Sequence, residues 1–168
     1  LAALETLQGV PGRMERVAVH PSGAPVIVDY AHTPDALETA LTALRSHCRG
    51  RLVLVFGCGG DRDPGKRPQM GAIAERLADR VIVTDDNPRG EDAALIRRAI
   101  LAQCPKAREI GDRAAAIAAA LDGLAADDLL LIAGKGHESG QIVAGKTLPF
   151  NDAAAVRTAL ARGGEARS

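Results

Sequence analysis

The sequence predicts a doubly wound α/β fold: a mostly parallel, Rossmann-like sheet with helices on both faces and a terminal hairpin. Three observations predict it. The runs Arg51 to Phe56, Arg80 to Thr84 and Leu129 to Ala133 are apolar on nearly every residue rather than on alternate ones, as in strands buried on both faces. Segments of helical periodicity separate these runs, so strands and helices alternate. Each run also ends in a polar cluster rich in glycine or proline, where the chain must leave the sheet.

Taken in order, Leu1 to Leu7 reads as a short helical remnant and Gln8 to Gly12 as a breaker-rich connector. A chain that opens on Leu1 without methionine looks cut from something longer. Val17 to His20 and Val26 to Val28 flank Pro21-Ser22-Gly23-Ala24, which predicts a β-hairpin. Thr33 is a suitable N-cap with Pro34 in the first helical position, and Leu37, Leu41 and Leu44 stripe a helix to about Arg49. After the strand to Phe56 comes Gly57-Cys58-Gly59-Gly60-Asp61-Arg62, then a helix through Met70, Ile73, Ala74 and Leu77. The strand to Thr84 opens into Asp85-Asp86-Asn87-Pro88-Arg89, and a helix follows over about Asp92 to Gln103. Asp112 caps an alanine-rich helix to Leu121. Leu129 to Ala133 opens into Gly134-Lys135-Gly136-His137-Glu138. Gln141 to Val143 and Thr147 to Pro149 form the terminal hairpin, and Asp152 starts a last helix to about Ala161, beyond which the tail frays.

The totals restrict function. Lys plus Arg and Asp plus Glu number 21 each, so neither nucleic acid nor an anionic membrane is indicated as a partner. Tyr30, Phe56 and Phe150 are the whole aromatic complement, too few for a base-stacking platform. No run is long enough to span a bilayer and no secretory signal is present. Cys48, Cys58 and Cys104 form neither a disulfide framework nor a zinc pattern, which fits a reducing, cytoplasmic setting.

Polar clusters follow four strands, at Asp29, Gly57, Asp85 and Gly134. In a parallel sheet these share one edge, where ligands bind in open α/β folds, so a single composite site is expected. In the Asp85–Arg89 cluster, Arg89 suits bidentate grip of a carboxylate, Asn87 donates and accepts, and Asp85 or Asp86 suits an ammonium. That is equipment for a zwitterion such as an amino acid; an Asx-type cap for the next helix accounts for the same residues equally well. Arg62 is placed either in the crevice or in a pair with Asp61 or Asp63. The loop glycines are read as serving close backbone approach and positive φ. Lys66 reads as a solvated first-turn residue. His32 and His137 fall at strand ends in the crevice, His20 and His47 on the surface, and Cys58 inside a tight loop.

Two phosphate-loop patterns fail on context. Gly140 to Thr147 has the Walker A spacing, but its variable residues are strand-like and Pro149 blocks the helix that should follow. Gly60 to Lys66 has Arg67 where a magnesium-ligating hydroxyl belongs, and two acids inside the loop. Gly57-Cys58-Gly59 lacks the third glycine of a dinucleotide loop. No nucleophile accompanies either crevice histidine, and no spacing indicates a bound metal.

Five strings, Gly12 to Glu15, Asp29 to Ala36, Phe56 to Asp63, Asp86 to Arg89 and Gly134 to Glu138, together resemble the C-terminal domain of the Mur ligase family, in order from about residue 8 to 152. Within the family the chain is most similar to members that add meso-diaminopimelate to UDP-MurNAc-L-Ala-D-Glu in peptidoglycan synthesis. The resemblance implies residues 1–12 as the end of a preceding central domain and residues 13–168 as the amino-acid-binding domain. It implies that ATP phosphorylates the D-glutamyl side-chain carboxylate and that the diaminopimelate amine then attacks the acyl phosphate. By the same resemblance, Arg62, Asp86, Asn87, Pro88, Arg89, Gly134 and Glu138 bind diaminopimelate, while Arg13, Asp29 and His32 serve the nucleotide. Lysine-adding relatives lack the arginine at the position of Arg89. The family's phosphate loop and Mg2+ ligands belong to a domain outside these residues, so no catalytic or metal-binding residue is assigned here, and the chain alone is expected not to turn over. A lysine-adding ligase, the C-terminal domain of folylpolyglutamate synthase and a stand-alone amino-acid or nucleotide-binding module are the alternatives.

Overall fold

A computed structural model describes residues 11–165. The reading of residues 1–7 as a helical remnant, most of the following connector and the extreme tail lie outside the described residues.

The hairpin strands β1 (Glu15–Val19) and β2 (Pro25–Asp29) pair antiparallel, with a register shift between Arg16 and Ala18. From β2 onward the sheet is parallel, in the order β1-β2-β6-β3-β4-β5, with β3 at Leu52–Phe56, β4 at Arg80–Val83, β5 at Arg108–Glu109 and β6 at Leu129–Ala133. The helices are α1 (Pro34–Arg45), α2 (Lys66–Leu77), α3 (Ala93–Leu101), α4 (Arg113–Leu121) and α5 (Asp152–Glu165). A separate antiparallel pair, β7 (Gly140–Val143) and β8 (Lys146–Pro149), follows β6.

The two-residue alternation of a strand sorts the apolar runs between two cores. Leu52, Leu54 and Phe56 pack with Leu37, Leu41, Leu44, Met70 and Ile100 of α1, α2 and α3. Val53 and Val55 face the other way, onto Ala116, Ile117, Ala120 and Val156 of α4 and α5. Every residue of β3 and β6 is buried, so no polar alternation survives in either strand. Burying side chains of this size stabilises by about 1.5–3 kcal/mol each.

Local chemistry sets the helix starts. Thr33 accepts from the Ala36 N–H, Asp92 from Ala94 and Asp112 from Ala115, each satisfying an otherwise orphan donor. Several boundaries differ from the sequence expectation. α1 ends at Arg45 rather than near Arg49, because the Arg45 guanidinium turns back to Asp79 and to the Gly50 carbonyl. α5 continues to Glu165 instead of fraying after Ala161. β5 is a strand the sequence concealed: two charged, exposed residues that pair only at the sheet edge. His20 is buried, 8% exposed, rather than on the surface, because its ring folds back to the Ser22 hydroxyl at 2.8 Å. The Walker A-like stretch is the β7–β8 hairpin, with Ala144 and Gly145 at left-handed φ in its turn.

Candidate functional site

The loops leaving the carboxyl ends of β2, β3, β4 and β6 enclose one cavity of about 440 Å³. The first supplies Tyr30, His32, Thr33 and Pro34, and the second Gly59, Arg62, Asp63 and Lys66. The third supplies Asp86, Asn87 and Arg89, and the fourth Gly134 and Glu138. The four loops therefore share one cavity, at the sheet edge where parallel topology places them.

The loop after β4 divides by sidedness. Asp85 turns out of the cavity to an ion pair with Arg97, which also holds Glu109 at 2.7 Å. Asp86 and Asn87 turn inward and are buried. Pro88 is buried beneath the loop and does not line the cavity. Arg89 has φ of 52°, a left-handed conformation costing roughly 1–2 kcal/mol for a residue with a side chain. The terminal hairpin holds it there: the Arg89 N–H donates to Ile142 O at 2.9 Å, and Ala144 N–H donates to Arg89 O at 2.8 Å. The hairpin also reaches the neighbouring residues, through Ile142 N–H to Asn87 Oδ1 at 2.9 Å and Gln141 Nε2 to Asp86 O at 2.7 Å.

The loop after β3 is stitched to this one. Gly60 N–H donates to Asn87 O at 2.8 Å, and Arg89 Nη1 donates to Gly60 O at 2.9 Å. A Cβ on Gly60 would stand 1.9 Å from Pro88 O, so the two backbones approach this closely only without one. Close approach, and not positive φ, is what the glycines at 57, 59 and 60 provide; the left-handed residue of this loop is Asp61, at φ 50°. Asp61 and Asp63 are spent on backbone donors, Gly90 N–H and Gly65 N–H, so Arg62 faces the cavity without an ion-pair partner among the described residues. Lys66 opens α2, in the first turn as expected, and is half-exposed; its ammonium donates to His32 O at 2.9 Å and lines the cavity. Arg67, at the position of the missing hydroxyl, is buried and paired with Glu91 at 2.8 Å.

Behind the cavity-lining Asp86, Asn87 and Glu138 lies Lys135, 0% exposed, to which the sequence assigns no role. Its ammonium donates to Asn87 Oδ1 at 2.9 Å and Glu138 Oε2 at 3.0 Å, and stands 3.6 Å from Asp86 Oδ1. Asn87 Nδ2 donates to the same Glu138 oxygen at 3.0 Å. Burial works against the Glu138 anion, but the hydrogen bonds from Asn87 and Lys135 and the nearby positive charges outweigh it, so its carboxyl titrates below the usual range. Gly134 has φ of 117°, and a Cβ there would meet Asp86 Oδ2 at 2.7 Å.

The three residues assigned to a nucleotide separate. His32 lines the cavity, its Nδ1 2.8 Å from Tyr30 O. Asp29 accepts from the Met14 N–H at 2.7 Å and lines an adjoining groove with Thr33 and Asp35. Arg13 is exposed, with its guanidinium 5.7 Å from the Tyr30 ring centre. His137 is exposed, 6.3 Å from the same ring, and does not line the cavity. Among the described residues no three His, Cys, Asp or Glu side chains converge to hold a metal ion.

Fold and cavity together define an α/β domain with a cavity lined by charged side chains of both signs at its strand ends. Residues 12–136 match the family model for the Mur ligase glutamate ligase domain. The UDP-N-acetylmuramoyl-L-alanyl-D-glutamate–2,6-diaminopimelate ligase of Caulobacter vibrioides is 61% identical over 160 residues, covering 95% of this chain and 33% of that protein. A solved structure of a ligase of the same name superposes with a TM-score of 0.86 at 42% identity, over 94% of this chain and 33% of that one. The bifunctional folylpolyglutamate synthase/dihydrofolate synthase of Yersinia pestis, complexed with AMPPNP and a manganese ion, shares the fold at 20% identity and a TM-score of 0.61, over 94% of this chain and 32% of that one. The chain belongs to the Mur ligase family. It spans about a third of the length of the curated relatives it matches.

Proposed function

We propose that residues 13–168 are the amino-acid-binding domain of an ATP-dependent cytoplasmic ligase that joins meso-diaminopimelate to UDP-MurNAc-L-Ala-D-Glu. The observation that carries the reading is that Arg89 and Glu138 line one cavity, so a guanidinium and a carboxylate face a shared space. Arg89 Nη1 is engaged by Gly60 and Asn87 carbonyls, while its Nε and Nη2 have no protein partner among the described residues. Glu138 likewise commits Oε2 inside the protein and leaves Oε1 open. A zwitterionic amino-acid end answers both: its carboxylate to Arg89 and the Asn87 amide, its ammonium to Glu138, with Asp86 adding negative charge. Arg62 reaches the same space, Gly134 keeps room beside Asp86, and Pro88 shapes the loop.

In the reaction, ATP transfers its γ-phosphoryl group to the D-glutamyl side-chain carboxylate. The diaminopimelate amine then forms the amide bond as phosphate leaves and the amine gives up its proton. This chain's part is to hold the amino acid with that amine presented; of the residues the resemblance assigns to the nucleotide, His32 lines the same cavity, Asp29 an adjoining groove, and Arg13 is exposed beside Tyr30. Mg2+ and the phosphate loop are assigned to residues beyond this chain, so the chain alone has no ligase or ATPase turnover above blank.

Calorimetry of the chain with meso-diaminopimelate and with L-lysine tests the reading. Lysine has no carboxylate at its ε-end, and a lost hydrogen bond to a charged group costs about 1.5–3 kcal/mol, so lysine binds roughly 10- to 150-fold more weakly. Arg89→Ala erases most of that preference. Equal heats for the two amino acids, or an Arg89→Ala preference like that of the parent, would refute it.

A further inference from the structure

Lys135 sits behind the cavity wall with no exposed surface, in contact with three groups that line the pocket, Asn87, Glu138 and Asp86. An enclosed ammonium has three donors and no acceptor, so it dictates the polarity of whatever it touches. Asn87 is the group most constrained. Its Oδ1 accepts from Lys135 at 2.9 Å and from Ile142 N–H at 2.9 Å, which fixes the amide with Nδ2 on the Glu138 side, where one N–H donates to Glu138 Oε2 at 3.0 Å and the other remains for a ligand. A flipped amide would turn its NH2 toward two donors and leave both unmatched, which costs about 1–3 kcal/mol for each buried group left unsatisfied. Lys135 likewise takes Oε2 of Glu138. The same cation balances two carboxylates, Asp86 and Glu138, drawn together from separate loops with Arg89 from the rim and Arg113 from α4 as the other nearby positive charges.

We infer that Lys135 is the positioning residue that sets the pocket's polarity: by holding Asn87 Oδ1 and Glu138 Oε2, it leaves one Asn87 N–H as the donor and Glu138 Oε1 as the acceptor offered to a ligand. The pocket therefore reads the direction of a zwitterion, carboxylate toward Asn87 and Arg89, ammonium toward Glu138. This rests on the amino-acid-binding reading above. It adds that a residue the ligand does not touch decides which way round the ligand sits. A packing role alone would make any side chain of lysine's length adequate.

The test uses the full chain in three forms: the parent, Lys135→Met, which keeps length and volume, and Lys135→Gln, which keeps a donor without charge. Circular dichroism first establishes folding. Titration with meso-diaminopimelate is then followed by calorimetry and by NMR of the Asn87 side-chain amide. We expect about tenfold or greater loss of affinity in Lys135→Met, a smaller loss in Lys135→Gln, and an Asn87 NH2 signal that shifts on ligand addition in the parent only. Folded Lys135→Met with parental affinity would overturn the inference while leaving the binding reading intact. A parent that does not bind meso-diaminopimelate would overturn both. Should neither variant fold, the parent alone decides: ligand must shift the Asn87 NH2 signal and slow its exchange, and an unmoved signal in a ligand-saturated chain overturns the inference.

Discussion

Asp152→Asn should destabilise the domain severely, although Asp152 lies outside the cavity. Asp152 and Arg113 are each 0% exposed and form a bidentate pair, Nε to Oδ1 at 2.7 Å and Nη2 to Oδ2 at 2.8 Å. The same guanidinium also donates to Ala133 O at 3.1 Å and Asp85 O at 3.4 Å. It thus ties the starts of α4 and α5 to the ends of β6 and β4. The substitution is isosteric, so no cavity opens, but it leaves the cation unbalanced and turns one acceptor into a donor facing a donor. Removing one member of a buried pair costs about 3–5 kcal/mol. For a chain of this length each kcal/mol moves Tm by about 2–4 °C, so a fall of roughly 6–20 °C is expected. Thermal and urea unfolding followed by circular dichroism measure it, with an unchanged m-value expected. The double replacement Arg113→Met with Asp152→Leu should lose well under the sum of the single losses, because no lone charge remains inside. A loss below about 1 kcal/mol for Asp152→Asn would refute the reasoning, since it would mean the guanidinium reaches water after all.

Three further outcomes follow from particular contacts. Gly134→Ala should cost about 1–3 kcal/mol in urea unfolding from its left-handed φ alone and weaken meso-diaminopimelate binding further by displacing Asp86; unchanged stability would contradict the 2.7 Å approach. Burial opposes ionisation of Asp128, but hydrogen bonds from the Arg51 side chain and from the Ala125 and Arg51 N–H groups bring its carboxyl down to about 2. Because that folded value lies below the unfolded one, the stabilisation is present above about pH 4 and is lost as pH falls toward 2; stability measured across that window should show a slope worth about 2 kcal/mol that Asp128→Asn abolishes. Burial pushes the Cys58 and Cys104 thiols up to about 12, so iodoacetamide at pH 8 should label half-buried Cys48 first and the other two only on unfolding, read by peptide mass. Rapid native labelling of Cys58 would show that the loop after β3 opens.

Residue pattern alone fixes the layer architecture, since all-apolar runs such as Leu52–Phe56 have no stable place except between two helix layers. It also determined the helix starts at Thr33, Asp92 and Asp112, where a side-chain acceptor lies within reach of the first free N–H groups. The four strand-end clusters were legible as one site because parallel topology leaves their loops no other edge. β5 stayed hidden, as two exposed charged residues carry no period to read. Which member of an acidic pair faces the cavity was a tertiary decision: Asp85 and Asp86 are alike in sequence, and Arg97, arriving from α3, drew Asp85 outward. The same holds for Lys66, captured by a carbonyl of another loop, and for the hairpin after β6, which reads as an appendage until its backbone is seen to hold Arg89 in place. Lys135 marks the limit most clearly. In one dimension it is a lysine among glycines, which solvent would ordinarily claim. Only when β4 and β6 bring three acceptors around it does burying that charge become cheaper than exposing it. Local pattern settles which segments are strands and helices, because backbone donors and apolar faces are satisfied nearby; charge placement depends on partners up to half a chain away, and only the folded sheet brings those together.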